Sequence, residues 1–272
     1  MSRTLAAPRI VRTREWARPV PAVRREVLHA DVSRDEGRSP LLFVPGFGHG
    51  AWVFAEHWLE RAAERGFPAY AVSLRGHGDS GAAPRADLRA YVHDVVQAAA
   101  GLPRQAVLIG HGAGALVVGH ALARYPARAA VLAAPVLGGW PLLGAALRRN
   151  PFGTLPAVFG GALRLRAGQL FSRELPEAVA LSYVDRLGRA SARAQWQLLL
   201  RQRVEPPVGD PPVLVLGSPD DRVVPAAVLD RAARRYGGAP LLFPGMGHDL
   251  MLDARWTEPV DAILDWLDKG AG

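Results

Sequence analysis

Residues 107–120 read "VLIGHGAGALVVGH". An apolar run enters a turn carrying Gly110, Gly112 and Gly114, and a helix of small apolar residues leaves it. A strand that ends in such a turn and passes straight into a helix has the shape of the Gly-x-Ser-x-Gly elbow, in which a serine sits on a strained backbone. The central residue here is Gly112. Glycine adopts without steric cost a conformation that costs other residues about 1–3 kcal/mol. The turn can therefore form normally, with a space where a Cβ and a hydroxyl would stand.

Outward from this stretch the chain alternates strands and helices. Upstream, "REVLHADV" (25–32) reads as an edge strand and "PLLFVPG" (40–46) as a strand buried on both faces. "AWVFAEHWLERAAERG" (51–66) has helical spacing, "FPAYAVSL" (67–74) is a strand, and a helix covers about 87–100. Downstream come the strand "AAVLAAP" (129–135), the strand "PPVLVLG" (211–217), a helix opening at Pro225, the strand "APLLFPG" (239–245) and a helix over 256–270. Short connections between alternating strands and helices predict a parallel sheet covered on both faces. Residues 136–210 break the rhythm. They carry helical signals and no strand, and are too long for a connecting loop, so a helical cap over the strands' carboxyl ends is expected there. Residues 1–24 are a Pro- and Arg-rich lead-in, and 25–135 with 211–272 form the core.

Composition narrows the function. The 272 residues are 49% hydrophobic with a net charge of +8, and Lys269 is the sole lysine among 33 cations. No basic stripe interleaved with aromatics is present, which argues against nucleic-acid binding. The chain has no cysteine, so disulfides, thiolate nucleophiles and cysteine metal sites are excluded. Arginines interrupt the N-terminus every few residues, and no stretch is long enough to span a membrane. A cytoplasmic location, no metal, no cofactor and a small-molecule partner are the expectations; oligomeric state is left open.

In an open α/β sheet the chemistry sits at the carboxyl ends of the strands. The loops following the predicted strands read "PGFGHGAW" (45–52), "RGHGDSG" (75–81), the elbow, "GSPDDRVVP" (217–225) and "PGMGHDL" (244–250). An elbow followed by a carboxylate and then a histidine is the chain order of the α/β-hydrolase triad. On these five loops the chain resembles the α/β-hydrolase family from about residue 25 to residue 268. The fold expected is a mainly parallel, eight-stranded sheet with helices on both faces and a helical cap.

The resemblance implies roles residue by residue. Asp221 matches the acid, His248 the base, and Gly112 the nucleophile position, with the serine absent. The backbone N–H groups of Phe47 and Ala113 match the oxyanion hole, with Pro45 where the family usually has histidine. His49, His111, Trp140 and Met246 are candidate substrate contacts. Asp220 competes with Asp221, but the acid in the family directly precedes a run like "RVVP", and Asp220 suits the turn after Pro219. His77 and Ser80 read as turn residues, and His57 and His93 as helix positions.

Three readings remain open. In the first, Asp221 and His248 act as a general base, either activating water against an apolar acyl, ester or lactone-type substrate or deprotonating a substrate in a lyase or cyclase reaction. In the second, Gly112 is an engineered Ser-to-Gly inactivation of a serine esterase. In the third, the chain is a non-catalytic binding protein, as the N-myc downstream-regulated proteins, which it resembles in its glycine-rich elbow, would suggest. The acid and the histidine, both kept in the proper loops, favour the first.

Overall fold

The structure is a computed structural model that describes residues 17–138, 144, 147–158, 163–200 and 202–271. Along the chain run β1 (Val27–Ala30), β2 (Leu41–Val44), α1 (Trp52–Ala55), α2 (Trp58–Glu64), β3 (Ala69–Val72), α3 (Leu88–Ala100), β4 (Val107–His111), α4 (Ala113–Ala121) and β5 (Ala129–Ala133). After a stretch that is helical at 144 and 147–149 come α5 (Pro151–Val158), α6 (Ala167–Leu170), α7 (Glu177–Asp185) and α8 (Ala192–Leu199). The chain then returns to the sheet with β6 (Val213–Gly217), α9 (Ala226–Arg235), β7 (Leu241–Leu242) and α10 (Thr257–Trp266).

The strands form one sheet in the order β1-β3-β2-β4-β5-β6-β7. β1 runs antiparallel to β3, and the other pairings are parallel. The sheet among the described residues thus has seven strands, which corrects the expected eight. All seven segments that read as strands in the sequence contribute. The eighth came from the resemblance alone, and residues 17–26 run without strand pairing into β1, with Pro19 and Pro21 unable to donate to a ladder.

The central strands are apolar at every position because both faces are covered. In β2, Leu41 and Phe43 face one core while Leu42 and Val44 face the other. Val107 and Ile109 against Leu108 in β4, and Val131 against Leu132 in β5, divide the same way, as the twofold period of a strand requires. Helix α4 is buried at eight of its nine positions, which explains its small, all-round apolar composition. Helix α3 starts at Asp87, whose side chain accepts from the Ala90 N–H at 3.0 Å.

Two elements depart from their sequence reading. The single helix expected over 51–66 is broken at His57, whose φ of −146° separates α1 from α2. β7 is only two residues long, because Pro240 and Pro244 bracket it at the sheet edge.

Among the described residues 136–210 there is no strand. This segment is tied to loops at the carboxyl ends of the strands. The Gly188 N–H donates to the Gly48 carbonyl at 2.7 Å, and the Asp249 N–H to the Leu170 carbonyl at 2.9 Å. Ser172 Oγ donates to Asp253 at 2.6 Å, and Arg222 to the Gly168 carbonyl at 2.6 Å.

Candidate active site

The three glycines of the turn after β4 play different parts. A Cβ on Gly110 would lie 2.6 Å from Ala115 Cα, and one on Gly114 would strike the Val44 and Pro45 carbonyl oxygens. Those two positions are closed by backbone. Gly112 lies at φ +56°, ψ −122°, the left-handed region that side chains rarely enter. A Cβ there would meet no backbone closer than Gly46 Cα at 3.7 Å; its nearest neighbour would be His248 Nε2 at 3.3 Å.

His248 sits in the loop after β7, 4% exposed. Its Nδ1 bonds Asp221 Oδ2 at 2.8 Å, and Asp221 Oδ1 accepts from the Val223 and Val224 N–H groups at 2.6 and 2.9 Å. The carboxylate is thus clamped by its own loop and aimed at the ring. Asp220 instead accepts from the Gly245 N–H at 2.7 Å and braces the turn. Burial opposes charging the His248 ring. The carboxylate of Asp221, and behind it Asp249, outweigh burial and hold its pKa above the ordinary histidine value.

Behind His248 lies a second buried group. Asp249, fully enclosed, bonds His49 Nε2 at 3.0 Å, and His49 Nδ1 lies 3.2 Å from the Phe47 carbonyl. Both partners of the His49 ring are oxygen acceptors. Burial would raise the Asp249 pKa, but the charge and hydrogen bond of His49 override it and lower it to about 2. His111, at the end of β4, donates from Nε2 to the His248 carbonyl at 3.0 Å. Burial, and then the neighbouring His248, push its pKa down to about 3, so its ring is neutral at physiological pH. Sequence reasoning did not pick out Asp249. Its signal lies in three histidines at the ends of different strands, which need a shared buried anion.

Donor atoms of His111, His248 and Asp249 lie within 4.8 Å of one another. His248 Nδ1 is engaged by Asp221, His111 Nε2 by a carbonyl and Asp249 Oδ2 by His49. His111 Nδ1 and Asp249 Oδ1 are buried with no hydrogen-bond partner among the described residues, so each of these two residues keeps one ligand atom uncommitted.

Phe47 follows Gly46 directly, and its N–H donates no hydrogen bond among the described residues. The Ala113 N–H opens helix α4, where the first N–H groups have no intrahelical partner. A cavity of about 380 Å³ lies beside the cluster, walled on one side by Phe47, Gly48 and His49 and on the other by residues of the helical segment. Neither Gly112 nor His248 lines it, so it meets the buried group at Phe47 and His49. His111 and Met246 do not line it either; each is 1% exposed, and Met246 packs in the apolar core. Trp140 lies outside the described residues.

Ser80, Arg75 and His57 make structural contacts. The Ser80 hydroxyl donates to the Ser73 carbonyl at 2.7 Å and accepts from the Glu26 N–H at 2.9 Å. Arg75 makes a buried two-pronged pair with Asp94 that fastens the loop holding His77. His57 stacks on Trp256 with ring centroids 4.5 Å apart.

Comparison with known proteins agrees with this architecture. No curated protein sequence matches the chain. Solved structures resemble it in fold at low identity. A monoacylglycerol lipase of Paleococcus ferrophilus has 20% identity and a TM-score of 0.67, covering 91% of this chain and 98% of its own. A soluble variant of the Saccharomyces cerevisiae monoglyceride lipase has 13% identity and a TM-score of 0.75, covering 92% of each chain. The enol-lactonase from Burkholderia xenovorans LB400 has 16% identity and a TM-score of 0.65, covering 90% and 96%. The sequence pattern of the alpha/beta hydrolase family matches residues 41–265, most of the chain and every strand-end loop described above. The chain belongs to the α/β hydrolase family.

Proposed function

We propose that this chain is a hydrolase of an apolar acyl, ester or lactone-type small molecule in which His248, oriented by Asp221, activates water directly. The observation that carries the reading is that His248 Nε2 faces Gly112, 3.3 Å from where a Cβ would begin. Gly112 stands at the nucleophile position of the fold, and the space that a serine side chain fills there suits a water molecule between Nε2 and the substrate. His248 takes a proton from that water as its oxygen attacks the acyl carbon. The N–H groups of Phe47 and Ala113 hold the oxyanion that forms. Collapse of the tetrahedral intermediate breaks the bond to the leaving oxygen, which receives the proton back from His248. Asp221 keeps the ring in the tautomer that leaves Nε2 as acceptor. The helical segment 136–210 serves as a cap that closes the site from solvent.

The test is hydrolysis of short aromatic and aliphatic esters by the unmodified chain beside His248→Ala. Positioned general-base catalysis contributes on the order of 10²–10⁴-fold, so the substitution should remove at least about a hundredfold of the rate. Activity that survives His248→Ala unchanged would overturn the mechanism. No activity in either protein would favour the binding-protein reading.

A further inference from the structure

The cavity beside Phe47 and His49 differs in charge from an ordinary acyl pocket. Phe47, Leu163, Leu165, Leu187 and Leu198 give it an apolar lining. The charged side chains on its described wall are Arg164 and Arg189, with His49 beside them. No carboxylate lines it among the described residues. His49 is already matched by Asp249 at 3.0 Å. Arg164 and Arg189 are exposed, and their guanidinium groups form no ion pair among the described residues. Arg164 and Arg189 thus bring two cationic groups to one apolar cavity whose described wall carries no carboxylate.

We propose that the cavity receives an amphiphilic anion: an aliphatic chain lies along the leucines and Phe47, and a carboxylate at its outer end is held by Arg164 and Arg189. The inference names the substrate class of the reaction proposed above and rests on that reading only for its catalytic meaning. At about 380 Å³ the cavity is near the small end of ligand sites, which suits a single short chain with a compact, singly charged head. Guanidinium groups pair with carboxylates in a planar, two-pronged geometry that an ammonium cannot offer. The apolar walls supply affinity, and the cations choose the head group.

Calorimetric titration of the unmodified protein at low ionic strength tests this with octanoate, octanol and octylammonium, none of which is hydrolysed. Octanoate should bind tightest, octanol about tenfold more weakly and octylammonium weaker still. Each further methylene, from hexanoate to octanoate, should tighten binding about fourfold. Arg164→Gln and Arg189→Gln should each cost octanoate about two- to fivefold while leaving octanol unchanged. Raising the salt to about 1 M should erase the preference over octanol, since screening then acts within about 3 Å. Equal binding of octanoate and octanol, a preference that survives the double substitution, or no binding of any of the three would overturn the proposal. Binding needs no turnover, so failure of the hydrolytic mechanism leaves this result readable. Conversely, failure of binding leaves the ester assays intact.

Discussion

The loops at the carboxyl ends of β2, β4, β6 and β7 and the helical segment lying against them treat their polar and apolar groups in opposite ways. In the loops, His49, His111, Asp221, His248 and Asp249 are all buried, and each bonds a group in another loop or its own backbone. In the helical segment, Phe152 is 81% exposed and Leu155, Trp196 and Leu200 face solvent, and Arg148, Arg164 and Arg189 are exposed as well. The loops are fixed by the sheet beneath, so their geometry cannot change without disturbing the core. The exposed side chains of the helical segment can be exchanged with little cost to folding, unlike its buried Leu170, Phe171 and Tyr183. The difference assigns proposed chemistry to one region and proposed recognition to the other, and each assignment can be broken separately.

The largest effect should come from the glycines that bring the loops together. Gly114→Ala would drive a Cβ into two backbone carbonyls and should destabilise the fold by more than about 4 kcal/mol or abolish soluble expression. Gly112→Ala, two residues away, should cost only about 1–3 kcal/mol, mostly backbone strain. Denaturant unfolding of the pair would sharpen the contrast; equal losses would remove it. Next comes Asp249→Ala, which strips the buried partner from His49 and should cost about 3–5 kcal/mol. Arg164→Ala, in the helical segment, should stay within about 0.5 kcal/mol. A loss at Arg164 as large as at Asp249 would show that the two regions are not distinct in kind.

A subtler effect is in pH. The base works as neutral imidazole, and the folded pKa of His248 is raised. Ester hydrolysis by the unmodified chain should therefore rise with pH through a midpoint above 6.5 and fall as the ring is protonated below it. Asp221→Asn removes the main attraction that raises the pKa and leaves the burial that lowers it. Its midpoint should move down while its maximal rate falls. kcat/KM against pH reads both, and a midpoint unmoved by Asp221→Asn would separate the acid from the base. His111, already held near 3 by burial, should add no limb between about pH 5 and 9.

Much of this was legible in the sequence because the buried strands announce themselves. "PLLFVPG", "QAVLIG" and "AAVLAAP" are apolar at every position for the reason that both faces are covered, and the loop following each could be read off directly. The break at His57 was hidden because both halves of 51–66 keep helical spacing. The true length of β7 was hidden because Pro240 and Pro244 withhold backbone donors from the ladder, which no hydrophobic pattern records. At the site, chain order brought out Gly112, Asp221 and His248. Asp249 was not legible, since its partners His49 and His111 lie 200 and 138 positions away and only the fold makes them neighbours. The cavity wall was the least legible. Arg164 and Arg189 are separated from ordinary solvated arginines only by the leucines that the helices gather around them.

The account stands most directly on the claim that the site lacks a hydroxyl and nothing else. Gly112→Ser, with Gly112→Ser/His248→Ala beside it, can be exposed to a fluorophosphonate and its intact mass read. The serine oxygen would displace fluoride at phosphorus and pass its proton to His248. The account predicts a single stoichiometric adduct at position 112 in Gly112→Ser, none in the unmodified chain, and none on the same timescale once His248 is removed. A folded Gly112→Ser protein that stays unlabelled would contradict it.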